Sequence, residues 1–352
     1  MSRQNVFAQI WTTRCFLVNN CRISADWSYM NLRTVILENQ RLRVCIVPEC
    51  GSKILEFIYK PSGRDFLYHN PRMELRAPIY GQYADNWWNG GIDETLPSCL
   101  GGEYKGDIIP DFGELYSLPW SWEIQKNTDE EVMLHLWRTT IVAPLRVDKW
   151  LTMRRKDAAL LVKHKITNLS KSRYKFLWGI HPSFEVNPNF RIDTPAEKVV
   201  IVYSKPDDRL GKPSSSYNWP YAQNKNGDRE DMRLVKDTSS NTNDFQYATD
   251  LKEGWFAITD TQRREGFGMA FSTKVFRSLY MWFVYGGYRS LNFCVVEPWN
   301  GYPPSLPEAE KNGVCSELEP GESLSSDSMM FVFTGFSNVR RVDDSGAIEG
   351  ET

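Results

Sequence analysis

The sequence predicts a mainly antiparallel all-β protein, one very large β-sandwich, and three observations carry that reading. Apolar and polar residues alternate with period two over many short segments, and Gly, Asn, Asp and Pro-Ser-Gly clusters separate them. Aromatic residues are dense, with 13 Trp, 16 Tyr and 18 Phe, as suits a broad β core. A single stretch, 307–311, has the look of a helix, and it is short.

Taken in order, residues 1–30 carry scattered apolar positions with Cys15 and Cys21; they read as an N-terminal extension with a short strand or two. From 34–37 the alternation sharpens, and with 42–47 and 53–60 it predicts a β-meander. Residues 70–120 are rich in Pro, Gly and Trp with sparse alternation, and read as long ordered loops over a sheet. Strands return at 120–125, 132–141, 145–154 and 159–168. Within residues 174–186 an apolar strand runs to His181-Pro182. Residues 204–245, rich in Pro, Ser, Asn, Asp and Lys, read as an insertion. The β rhythm resumes at 255–260, 267–271, 278–285 and 293–296, and closes at 328–334, before a loose tail over 343–352. No internal repeat, heptad pattern or phosphate loop interrupts this, so residues 1–352 are read as one domain.

Composition narrows the function. With 42 basic and 44 acidic residues and a formal charge of -2, nothing favours nucleic acid or an anionic membrane as partner. There is no run of about 18 apolar residues and no signal-peptide pattern at Met1-Ser2-Arg3-Gln4-Asn5, so a cytoplasmic location is expected. The seven cysteines lack CxxC spacing and read as small buried hydrophobes. Four histidines, none at metal-ligand spacing, argue against a metal site, and no cofactor is expected. The aromatic richness also suits a small-molecule carbohydrate, whose apolar face packs on aromatic rings. The oligomeric state is not legible.

Two segments share one construction: an apolar strand delivers a titratable side chain just before proline, His181-Pro182 in one and Glu297-Pro298 in the other. Strands are rigid mounts, and histidine exchanges protons near neutral pH with little tuning. Glu297 and His181 are therefore the candidate catalytic pair. From its own segment alone, each reads more readily as a structural residue; the repeated construction and the aromatic neighbours are what single the two out.

His181-Pro182-Ser183-Phe184, Val296-Glu297-Pro298-Trp299 and Leu318-Glu319-Pro320-Gly321-Glu322-Ser323, in this order, resemble motifs of the aldose 1-epimerase, or galactose mutarotase-like, superfamily over about residues 33–335. Gly90-Gly91-Ile92 through Pro97 and Asp111-Phe112-Gly113-Glu114 to Trp120 are similar to stretches of its hexose-6-phosphate epimerase branch. The resemblance implies a β-supersandwich, with Glu297 as catalytic base and His181 as catalytic acid. It further suggests Arg72, Trp88, Asp93, Glu94, Asp111, Glu114 and Trp299 as substrate-binding residues, with Arg76 an alternative to Arg72. Phe112 departs from the pattern where a second histidine is expected, and a phenyl ring cannot donate a hydrogen bond to the sugar.

The expected reaction is interconversion of α and β anomers. A base takes the O1 proton, an acid protonates the ring oxygen, and the open-chain aldehyde recloses on its other face. A carboxylate facing the imidazolium is expected to raise the histidine's pKa, and Trp87, Trp88, Trp299 or Tyr302 to stack on the sugar. Two rivals stay open: a non-catalytic carbohydrate binder, motivated by Phe112, and another sugar-processing enzyme with paired carboxylates among Asp93, Glu94, Asp111 and Glu114.

Overall fold

The computed structural model describes residues 20–343 and 345–352. Two large antiparallel sheets pack face to face. The first has twelve strands, running from edge to edge as Arg22–Tyr29, Leu32–Glu38, Leu42–Val47, Lys53–Tyr59, Ile92–Thr95, Gly179–Phe184, Asn292–Trp299, Ser278–Tyr285, Thr242–Thr249, Lys198–Lys205 and Ser216–Asn218, with Arg64–Asp65 paired beside Lys53–Tyr59. The second has eight: Phe190–Asp193, Trp255–Asp260, Glu265–Phe271, Ser323–Thr334, Ala159–Asn168, Leu145–Arg154, Glu131–Thr139 and Ser121–Asn127. The α-helix Leu306–Lys311 sits where the short helix was expected.

Alternation explains the layers. In Lys53–Tyr59 and Gly179–Phe184 the residues pointing toward the second sheet include Phe57 and Phe184. Their rings meet Phe267 of Glu265–Phe271 at 5.1 and 5.0 Å between centroids. These aromatics belong to one continuous core between the sheets. Burying such side chains contributes about 1.5–3 kcal/mol each.

Several expectations change. The tail is not loose: Ile348–Glu351 pairs with Asn338–Val342 as a hairpin, and that hairpin's Val339, Val342 and Ile348 cover Trp255, Phe331 and Phe333 on the outer face of the eight-stranded sheet. Residues 22–29 of the expected extension form an edge strand of the large sheet; Cys15 and the rest of residues 1–19 lie outside the described residues. Within the loop region, Ile92–Thr95 is a short strand near the middle of the large sheet, between Lys53–Tyr59 and Gly179–Phe184. The excursion after 204 holds three short strands, Ser216–Asn218, Tyr221–Gln223 and Arg229–Asp231. Buried Arg209 fastens it, pairing with both Glu230 and Asp244. All cysteines among the described residues are free, and only Cys315 is not fully buried.

Candidate functional site

Neither proline ends its strand. Gly179–Phe184 runs through Pro182 and Asn292–Trp299 through Pro298. The two strands are neighbours, with Gly179 opposite Trp299 and Ser183 opposite Val295. Carrying that register inward sets His181 opposite Glu297, and no ladder pair forms between these two ends. Each proline lacks an N–H, so the ladder opens where the two titratable side chains face each other. His181 Nε2 lies 4.0 Å from Glu297 Oε1.

The pair belongs to a row. Directly opposed residues in antiparallel strands share a face. Asp93 is opposite His181, Tyr280 is opposite Glu297, and Tyr247 is opposite Tyr280. Lys53, beside Asp93, completes the row and binds it, its ammonium 2.5 Å from Asp93 Oδ2 and 2.6 Å from the Gly90 carbonyl. This row lies on the face of the large sheet turned away from the second sheet.

His181 is 4% and Glu297 2% exposed. Burial pushes the Glu297 carboxyl up to about 8, offset in part by the hydrogen bond that Trp299 Nε1 donates to Oε2 at 2.8 Å. Burial, then the charge of Lys53, pulls His181 down to about 3. The expected raising of the histidine by its carboxylate partner is thereby corrected. Both groups are dry, and a dry site penalises two charges more than their attraction across 4.0 Å returns. Both shifts run toward the uncharged form, a protonated Glu297 facing a neutral His181.

Around the pair the surface is aromatic. Trp88 and Phe112 each set a ring edge-to-face against the imidazole, at 5.8 and 4.8 Å. Phe112 has a left-handed backbone, φ 63°, and packs in turn on Tyr116. Trp299 is fully buried and stacks on Tyr280 at 4.7 Å. It therefore orients the carboxyl and has no free face for a sugar. Gly179 makes this possible, because a Cβ there would lie 2.2 Å from the indole. Trp87 is half-buried beneath the Arg76 guanidinium, and Tyr302 stacks on Tyr247.

The remaining sequence candidates divide. Asp93 and Trp88 lie beside His181, with the Trp88 indole directed at the Asp93 carboxyl, and His181 Nδ1 makes no hydrogen bond to another side chain. Glu94 points the other way, into the space between the sheets. There it takes Lys149 at 2.8 Å, His164 at 3.1 Å and the Trp178 indole at 3.3 Å, which leaves nothing for a substrate. Glu114 is spent on the backbone, accepting from the N–H groups of Ile141, Val142 and Ala143. Asp111 accepts from the Ala84 N–H at 3.0 Å and so fixes the turn that leads to Trp88. Arg72 is exposed, on the wall of a separate open cleft of about 520 Å³ shared with Tyr29, His69 and Asn89. Among the described residues no group of three or more His, Cys, Asp or Glu is placed to hold a metal ion, and no helix is long and apolar enough to cross a membrane.

Sequence reasoning missed Lys53, Tyr280, Tyr247 and Gly179. The one available signal was Lys53, a charge at the head of an apolar strand after Gly51-Ser52.

A family described as a domain of unknown function, DUF5107, matches residues 21–104. Among solved structures, a protein from Synechocystis sp. PCC 6803 shares 19% identity at a TM-score of 0.62, over 89% of this chain and 100% of that one. A galactose mutarotase-like protein from Clostridium acetobutylicum shares 14% at 0.67, over 90% and 99%. A galactose mutarotase related enzyme from Lactobacillus acidophilus shares 16% at 0.59, over 86% and 97%. At these identities the likeness is one of fold: the chain has the galactose mutarotase-like sandwich.

Proposed function

We propose that this protein is an isomerase of the aldose 1-epimerase type, opening and reclosing a sugar ring with Glu297 and His181. The observation that carries the reading is the buried pair itself, two groups of opposite protonation tendency facing each other across a gap in the sheet. Structures of the same fold bearing mutarotase names support it.

The resting pair reverses the roles expected from the resemblance. The protonated Glu297 gives its proton to the ring oxygen as the C1–O5 bond breaks, while neutral His181 takes the proton from O1. The pair is then a carboxylate facing an imidazolium. After rotation about C1–C2, the O5 hydroxyl attacks the aldehyde on its other face, returning its proton to Glu297 as His181 returns one to O1. Protons balance over the cycle, and each step is ordinary general acid–base catalysis. Asp93, Trp88 and His181 set polar side-chain atoms side by side on this face, groups with which a sugar hydroxyl can pair.

A non-catalytic carbohydrate binder is the second reading, favoured by the Phe112 ring where a donor is expected. Exchange NMR at C1 over a panel of free and phosphorylated aldoses separates the two. Exchange accelerated by the protein and abolished in His181→Ala supports the epimerase; resonances that broaden with no faster exchange support the binder.

A further inference from the structure

The row on the face turned away from the second sheet contains two carboxylates that flank His181, Glu297 on one neighbouring strand and Asp93 on the other. Only Glu297 is left to it. The Asp93 carboxyl is drawn to Lys53 through Oδ2, and Lys53 is fixed a second time by the Gly90 carbonyl. That carbonyl is held in place because Gly90 and Gly91 have left-handed backbones, φ 96° and 83°, that bring the chain against Tyr68 and Ile54. His181 Nδ1 meets no side-chain acceptor. An imidazolium needs acceptors for both its N–H groups, and the carboxylate that faces this ring, Glu297, lies 4.0 Å away.

We infer that Lys53 is a positioning residue for the proton-transfer pair: by holding Asp93 it withholds the second carboxylate from His181 and leaves the imidazole facing Glu297. The inference rests on the epimerase reading for its purpose, but not for its test. The groups around the imidazole are Asp93 and Lys53 on one side, Glu297 on the other, and the uncharged rings of Trp88 and Phe112. With Lys53 gone, Asp93 is free to accept from Nδ1, the familiar carboxylate–histidine arrangement that favours the charged ring.

The test is a nitrogen-15 NMR titration of the histidine side chains, with the His181 signals identified by their loss in His181→Gln. In the wild type His181 stays neutral down to at least pH 5. In Lys53→Met it binds a proton at least ~10-fold more tightly, the effect of a nearby carboxylate, and Lys53→Arg restores the wild-type titration. An imidazolium already present at pH 6 in the wild type, or a Lys53→Met titration identical to wild type, overturns the inference. Should Lys53→Met fail to fold, Lys53→Gln keeps a donor for the Gly90 carbonyl, removes the cation and leaves the Asp93 carboxylate in place. The same rise in the His181 titration is expected there, and an unchanged curve overturns the inference equally. Failure of the protein to accelerate anomer exchange would remove the epimerase reading and leave these titrations standing.

Discussion

Replacing Glu297 by glutamine keeps the size of a buried side chain and removes its titration, so the energetic consequence can be worked from the site. The carboxyl is lifted to about 8 in the folded protein from an ordinary 4.5, by burial. A group whose folded pKa is raised keeps its proton in the native state while the unfolded chain releases it. Stability from this group is therefore full below pH 4.5 and is lost as pH rises toward 8. The slope is about 1.4 kcal/mol per pH unit. Between pH 5.5 and 7.5 the wild type should lose roughly 2–3 kcal/mol that Glu297→Gln does not lose. Urea unfolding of both proteins at the two pH values measures this directly, since every other titrating group is common to both. The anomer-exchange rate of Glu297→Gln should meanwhile fall at least ~100-fold, at the low end of general acid–base effects. A stability difference that stays constant across the two pH values would show that the carboxyl is not held protonated by its surroundings, and the resting state proposed here would fall with it. An unaltered exchange rate would remove Glu297 from the mechanism.

Three further substitutions probe the neighbours. Gly179→Ala places a methyl 2.2 Å from the Trp299 indole; a loss of about 1–3 kcal/mol, the usual cost of overpacking, is expected in urea unfolding, together with slower exchange, and a neutral result would mean the indole has room to move. Trp299→Phe removes the donor that lowers Glu297, so the alkaline limb of the pH–rate profile should move to higher pH; a shift downward contradicts the assignment. Glu94→Ala leaves Lys149 and His164 buried without their counter-charge and should cost about 3–5 kcal/mol, whereas intact stability with a raised KM would return Glu94 to the substrate.

The strands were legible because alternation is local. Residues 145–154, 159–168, 255–260 and 278–285 are strands with the expected bounds, each long enough for the period to show. Ile92–Thr95 was hidden because four residues carry barely two periods, and all four are buried, so polar and apolar positions no longer report the two faces. The closing hairpin was hidden for another reason. Its strand Ile348–Glu351, with Glu349, Gly350 and Glu351, lacks apolar alternation and is held by pairing with Asn338–Val342.

Asp93 and Glu94 show where the reading of the site had to stop. Adjacent in sequence, both acidic and both buried, they look interchangeable, yet successive side chains of a strand point to opposite faces. One joins the row beside His181 and the other joins Lys149 and His164 between the sheets. Which goes where depends on the register of Ile92–Thr95 against strands that begin at residues 53 and 179, and no local pattern encodes that. Glu297 and His181 were recoverable because each sits beside a proline in an otherwise apolar strand, an irregularity that has to be accommodated somewhere. Lys53 carries no such irregularity. Its partner is 40 positions away, and its place beside the imidazole exists only once three strands are paired. The charges around the buried pair are thus fixed by register, whereas the pair proposed to move the proton is marked by local sequence.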